Sequence, residues 1–175
     1  MTRAFWDWWQ HLPQHIDPTL FSLGSFELRY YGLMYIVAFA LTYVLLVYRA
    51  RRDGFGWYTP ERIQDLMVWF IVGTILGGRL GYVVFYEFSY FAAHPLKIFL
   101  PFEFEDGFRF TGIAGMSYHG GVMGVVVAGY LFSRRHKLSF LTMLDFVAPA
   151  APLGYTFGRR GNFINGELYG RVTTV

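Results

Sequence analysis

Cysteine is absent from the 175 residues, which excludes a disulfide framework, a thiolate metal site and a cysteine nucleophile supplied by this chain. Charge is scarce as well. Only 15% of residues are charged, against 54% apolar and 21% aromatic, a balance more apolar than that of a typical soluble domain. The formal net charge of +3 is too small to imply a nucleic-acid partner. No internal repeat or low-complexity tract is evident. No basic start followed by an apolar core occupies the beginning of the chain, so no cleavable signal peptide is expected.

What the chain has in quantity is long apolar runs. Residues 1–29 precede them and read as an outer interfacial segment, because Trp6, Trp8 and Trp9 suit the headgroup level and Pro13 and Pro18 break any long helix. Tyr30 to Tyr48 is nineteen residues without a charge, enough to cross a hydrocarbon core of roughly 30 Å. Arg49, Arg51 and Arg52 come next, so the positive-inside rule puts that end in the cytoplasm and the amino terminus outside. Thr59-Pro60-Glu61 makes a helix start, and a second span runs from about Leu66 to Tyr86. Its Gly73, Gly77 and Gly81 recur every four residues, so they share a face and permit close packing. The loop 89–112 is expected outside, as an insertion or surface arm. A third span from Gly112 to Phe132 ends in Arg134, Arg135, His136 and Lys137. The fourth, Leu138 to Gly158, is kinked by Pro149 and Pro152. The expected fold is all-α: a polytopic integral membrane helix bundle over 30–158 with four spans and its N-terminus outside, then an outer loop over 159–175.

Four unusual residues fall at similar depth in that scheme. Tyr31 opens the first span, Arg79 lies in the outer part of the second, His119 about two turns inside the third, and Arg159 ends the fourth. A charge inside a span costs on the order of 2.5–3.5 kcal/mol unless paired or hydrated, so Arg79 either snorkels to the interface or lines a polar cavity. A lone histidine among apolar neighbours is commonly structural, but an ionisable group within a membrane is a functional candidate.

The densest polar run is Gly158-Arg159-Arg160-Gly161-Asn162-Phe163-Ile164-Asn165-Gly166-Glu167-Leu168-Tyr169-Gly170-Arg171. Its glycines suit a backbone that bends sharply or lets a ligand approach, and its arginines, asparagines and glutamate can hold and orient an anion. It is not a P-loop, because Glu167-Leu168 stands where Lys-Ser/Thr is needed. The order Gly-Arg-x-Gly-Asn-Phe-Ile-Asn-x-Glu-x-x-Gly resembles the signature of the bacterial phosphatidylglycerol–prolipoprotein diacylglyceryl transferases. Tyr30-Tyr31-Gly32-Leu33-Met34-Tyr35 and Met116-Ser117-Tyr118-His119-Gly120-Gly121 are similar to the same family, and Gly77-Gly78-Arg79-Leu80-Gly81-Tyr82 is a weaker match.

The resemblance implies an enzyme of the bacterial cytoplasmic (inner) membrane, with its active site toward the outer leaflet. It implies transfer of the sn-1,2-diacylglyceryl group from phosphatidylglycerol to the lipobox cysteine of a prolipoprotein signal peptide, the first step of lipoprotein maturation. Arg159 would neutralise the leaving phosphate and His119 would take the thiol proton. Arg79 and Arg171 would help with the phosphate, Tyr31 and Gly170 would contact the lipid, and Asn162, Asn165 and Glu167 would orient headgroup hydroxyls or hold the arginines. No metal or cofactor is expected. Family members continue through seven spans and an outer domain, so the C-terminal half of the fold is expected to be absent and the isolated 175 residues inactive. A small channel or transporter subunit is the alternative; the clustered Asn and Glu of the signature argue against it.

Overall fold

The computed structural model describes residues 2–23, 26–98, 102–103, 109–110 and 115–167. These fall into two compact units, one of residues 1–57 with 146–175 and one of 58–145.

In the first unit, helix α1 (Thr2–Gln10) exposes Phe5, Trp6, Trp8 and Trp9. A 3-10 turn (Leu12–His15) leads to an antiparallel hairpin of β1 (Thr19–Leu23) and β2 (Phe26–Arg29). Asp17 starts the hairpin by accepting from the Thr19 N–H at 2.8 Å. Helix α2 (Tyr30–Arg52) continues from β2 without a break and carries Arg49, Arg51 and Arg52 in its last turn. Cations there face the negative end of the helix dipole, so the helix outlasts the uncharged run. The Asp53 N–H closes it on Arg49 O at 2.8 Å, and Gly54 turns the chain at φ 78°. Later in the chain, residues 146–147 at the end of helix α6 (Phe140–Val147) and helix α7 (Ala150–Ile164) belong to this unit, while the start of α6 belongs to the second. Arg49 donates to the Phe146 carbonyl and lies over the Phe55 ring, which itself packs on Phe146. At the other end Gly161 packs on Tyr31 and Met34, so α2 and α7 run antiparallel.

The second unit is organised by helix α3 (Pro60–Phe85) against helix α5 (Tyr118–Arg135). Thr59 caps α3 by accepting from the Arg62 N–H at 3.4 Å, and Ser117 caps α5 by accepting from Gly120 N–H at 3.2 Å. The glycine face expected on the second span is the contact. A Cβ on Gly73 would lie 2.6 Å from the Ala128 Cβ, and one on Gly81 would lie 2.7 Å from the Gly120 Cα. The helices meet backbone to backbone, which only small residues allow. Ile63, Leu66, Phe132 and Met143 bury the opposite end. There His136, against the Phe132 ring, pairs with Asp65 at 3.5 Å. Helix α4 (Phe88–Ala93), a 3-10 turn (Pro95–Ile98) and two short paired strands, β3 (Phe102–Glu103) and β4 (Arg109–Phe110), join α3 to α5.

The helical membrane fold is present, with α2 and α3 long and apolar enough to cross a bilayer. Several expected boundaries move. Residues 1–29 hold a short helix, a 3-10 turn and a hairpin. The third helix begins at Tyr118, not Gly112, because Gly115 turns the chain at φ 80° and Ser117 caps the helix two residues later. The fourth run is two helices, α6 and α7, separated at Ala148-Pro149, where proline ends one and opens the other. The signature does not start as a loop at 159: α7 is helical through Ile164. Residues 168–175 of that expected loop, and 99–101, 104–108 and 111–112 of the loop 89–112, lie outside the described residues.

Candidate active site

In the first unit the signature is built on a helix end. Gly158 and Gly161 are helical, and only Gly166 among its described glycines has a positive φ, 70°. The two glycines that matter therefore serve different needs. Gly161 lets a neighbour close in, since a Cβ there would lie 3.0 Å from the Tyr31 ring. Gly166 lets the chain leave the helix in the left-handed region.

Past Ile164 the turn is tied back on itself. Asn165 N–H donates to Gly161 O at 3.0 Å, Gly166 N–H to Phe163 O at 3.1 Å, and Glu167 N–H to Asn162 O at 2.8 Å. The Asn165 amide donates to the Glu167 carboxylate at 2.9 Å. Three of the expected site residues, Asn162, Asn165 and Glu167, thus form one hydrogen-bonded turn. Tyr31 joins them through Gly161. Its hydroxyl lies 3.0 Å from that of Tyr35, one turn along α2. Arg159 is exposed one turn before the bend, with its guanidinium 6.0 Å from the Tyr155 ring. Gly170 and Arg171 lie outside the described residues.

The second unit holds Arg79 and His119. Arg79 is 9% exposed and donates to the carbonyls of Ile98 (2.7 Å), Lys97 (2.9 Å) and Gly115 (3.3 Å). Its guanidinium also lies 4.9 Å from the Phe91 ring centre. Carbonyl dipoles and an aromatic face replace the water a buried cation loses. His119 is exposed in the first turn of α5, edge-on to Tyr118, rather than two turns inside a span. Among the described residues no group of three or more His, Asp or Glu side chains gathers as a metal site would.

Sequence reasoning passed over Tyr35, Gly115 and the carbonyls of Lys97 and Ile98. Tyr35 lies at the i, i+4 spacing from Tyr31 that puts two side chains on one face. Ser117, just ahead of a run of helix-compatible residues, carries a readable cap signal. Carbonyl partners carry no signal at all, since every residue has one.

The sequence profile of the prolipoprotein diacylglyceryl transferase family matches residues 18–175. The chain belongs to that family. It is 49% identical over 171 residues to the phosphatidylglycerol–prolipoprotein diacylglyceryl transferase of Chlorobaculum tepidum, covering 97% of this chain and 59% of that protein. Against the proteins of the same name from Geobacter sulfurreducens and Neisseria gonorrhoeae it is 48% and 49% identical. Those matches cover 92% and 91% of this chain, but 58% and 52% of the relatives. The chain therefore spans somewhat more than half the length of these transferases. A channel or transporter subunit finds no support among these matches.

Proposed function

We propose that the chain carries the phosphate-binding signature and the general base of an enzyme that transfers the sn-1,2-diacylglyceryl group of phosphatidylglycerol to the lipobox cysteine of a prolipoprotein signal peptide. The observation that carries this reading is the match over residues 18–175 combined with Tyr31 packed on the signature helix at Gly161. The cysteine thiolate attacks the glycerol carbon that bears the phosphate ester. A carbon–sulfur bond forms, that carbon–oxygen bond breaks, and glycerol phosphate leaves with the bonding pair.

This chemistry has two needs. The leaving phosphate requires charge neutralisation, which suits the bidentate fork of Arg159. The acceptor thiol must lose a proton, because the thiolate is the nucleophile; His119, exposed at a helix start, takes it. Asn162, Asn165 and Glu167 orient the headgroup as one turn, Tyr31 contacts it beside them, and Gly170 completes the signature. Within the second unit, Arg79 holds the chain ahead of α5 from its carbonyl cradle.

The protein sits in the bacterial inner membrane with four spans in this chain and the reaction on the outer leaflet. Residues 1–29 face outward and residues 49–62 face the cytoplasm. Cysteines introduced at Ser22 and Gly56, both exposed, should differ: an impermeant thiol reagent on spheroplasts should label the first and spare the second. The reverse pattern overturns this orientation. For the reaction itself, the complete gene product is given labelled phosphatidylglycerol and a lipobox peptide. Formation of the diacylglyceryl thioether is expected, and its absence with folded enzyme sinks the proposal.

A further inference from the structure

We infer that Arg79 is a positioning residue for His119, acting from α3 on the stretch that leads into α5; this rests on the reading of His119 as the base. Two adjacent α3 residues hold that stretch. The Gly78 carbonyl accepts from the Ser117 N–H at 2.9 Å, and Arg79 Nη1 donates to the Gly115 carbonyl at 3.3 Å. The same guanidinium reaches the segment after α4, through Nε to Ile98 O at 2.7 Å and Nη2 to Lys97 O at 2.9 Å.

A buried cation is costly unless its partners are all in place. The clamp therefore favours the arrangement in which the 97–98 segment and Gly115 meet at one point. Gly115 is fitted to this. It turns at φ 80°, and a Cβ there would come within 2.7 Å of the Tyr82 ring. Two residues later Ser117 caps α5 through the Gly120 N–H at 3.2 Å. His119 then occupies the first turn, its side chain exposed and edge-on to Tyr118. The imidazole takes its placement from the helix start that Gly78 and Arg79 hold.

The test uses the complete gene product. Arg79→Lys keeps the charge but cannot serve carbonyls of two segments with one planar fork. It should lower kcat by about 10- to 100-fold, the scale of a misplaced catalytic group. KM for phosphatidylglycerol should stay within about threefold, since uniform binding is untouched. In a His119→Ala background the same substitution should cost less than about threefold, because the group it positions is gone. Losses that multiply, or a raised KM with kcat unchanged, overturn the inference; the latter would place Arg79 on the lipid. If alkaline pH fails to rescue His119→Ala while the two substitutions remain non-additive, the base assignment falls and the positioning stands. Arg79→Gln, which leaves no buried charge to satisfy, carries the same expectations where the lysine variant does not accumulate in the membrane.

Discussion

Among the described residues, two antiparallel helix pairs solve close approach in opposite ways. Between α3 and α5 both surfaces are stripped to glycine and alanine, and backbone meets backbone at Gly73, Gly77, Gly81, Gly120 and Gly124. Between α2 and α7 one surface alone is stripped where Gly161 accepts the Tyr31 ring. Backbone cannot yield to a new methyl group, whereas an aromatic ring can turn. The first pair is a scaffold that tolerates nothing larger. The second is a seat for a side chain, and any substitution there is felt first by the tyrosine and the polar turn behind it.

The largest expected effect separates the pairs by chemistry. His119, on the scaffold pair and proposed above as the base, should cost the complete gene product about 10²–10⁴ in transfer rate on replacement by alanine, with lipid binding nearly intact. Raising the pH should restore part of that rate, because an acceptor thiol ionises by itself near a pKa of about 8.5. Arg159→Ala, on the seat pair, should weaken phosphatidylglycerol binding and show no alkaline rescue; Arg159→Lys should remain impaired for want of the planar fork. Matching pH profiles for the two alanine variants would erase the distinction.

Next in size is stability. A Cβ on Gly77 would lie 2.6 Å from the Gly124 Cα, so Gly77→Ala should cost about 1–3 kcal/mol by overpacking. Gly154 on α7 has nothing within 4 Å of an added Cβ, so Gly154→Ala should be neutral or stabilise by up to about 1 kcal/mol. Equal melting temperatures in detergent would contradict the scaffold assignment. Gly161→Ala sharpens the contrast, since its nearest neighbour is the Tyr31 ring at 3.0 Å. It should cost less than about 1 kcal/mol in stability yet reduce transfer by about 3- to 10-fold through a displaced tyrosine. A loss of stability without loss of rate would refute the seat.

The smallest effect lies at the approach to α3. Tyr58 is 4% exposed, and burial pushes its hydroxyl from 10.0 up to about 12. The neutral phenol is thus favoured in the folded state. Its contribution is fully present below pH 10, and is lost as the pH rises through about 12. Melting temperatures measured from about pH 8 to 11, across the ordinary tyrosine range, should fall less for Tyr58→Phe than for the parent protein; parallel curves would remove the contribution.

Much of the candidate site could be proposed from sequence because its residue types are improbable where they stand. Arginine and histidine near the ends of apolar runs, and a polar turn after one, are visible without coordinates. Their surroundings were not. Arg79 read equally well as an interfacial or a cavity residue, since its partners are main-chain carbonyls that leave no trace in residue identity. The glycines of the signature read as a bend, but Gly161 is helical and clears space for Tyr31; a glycine that permits a turn and one that permits contact look the same in sequence.

Sequence by itself determined the helical membrane class, the family, the first two long helices and the glycine face of α3. These come from composition and period, which local chemistry sets whatever the partner. Only tertiary structure decided that Arg79 holds Lys97, Ile98 and Gly115, and that Tyr31 rests on Gly161. Each depends on groups far apart in the chain meeting at distances of about 3 Å, and that meeting is fixed by packing rather than by any local preference.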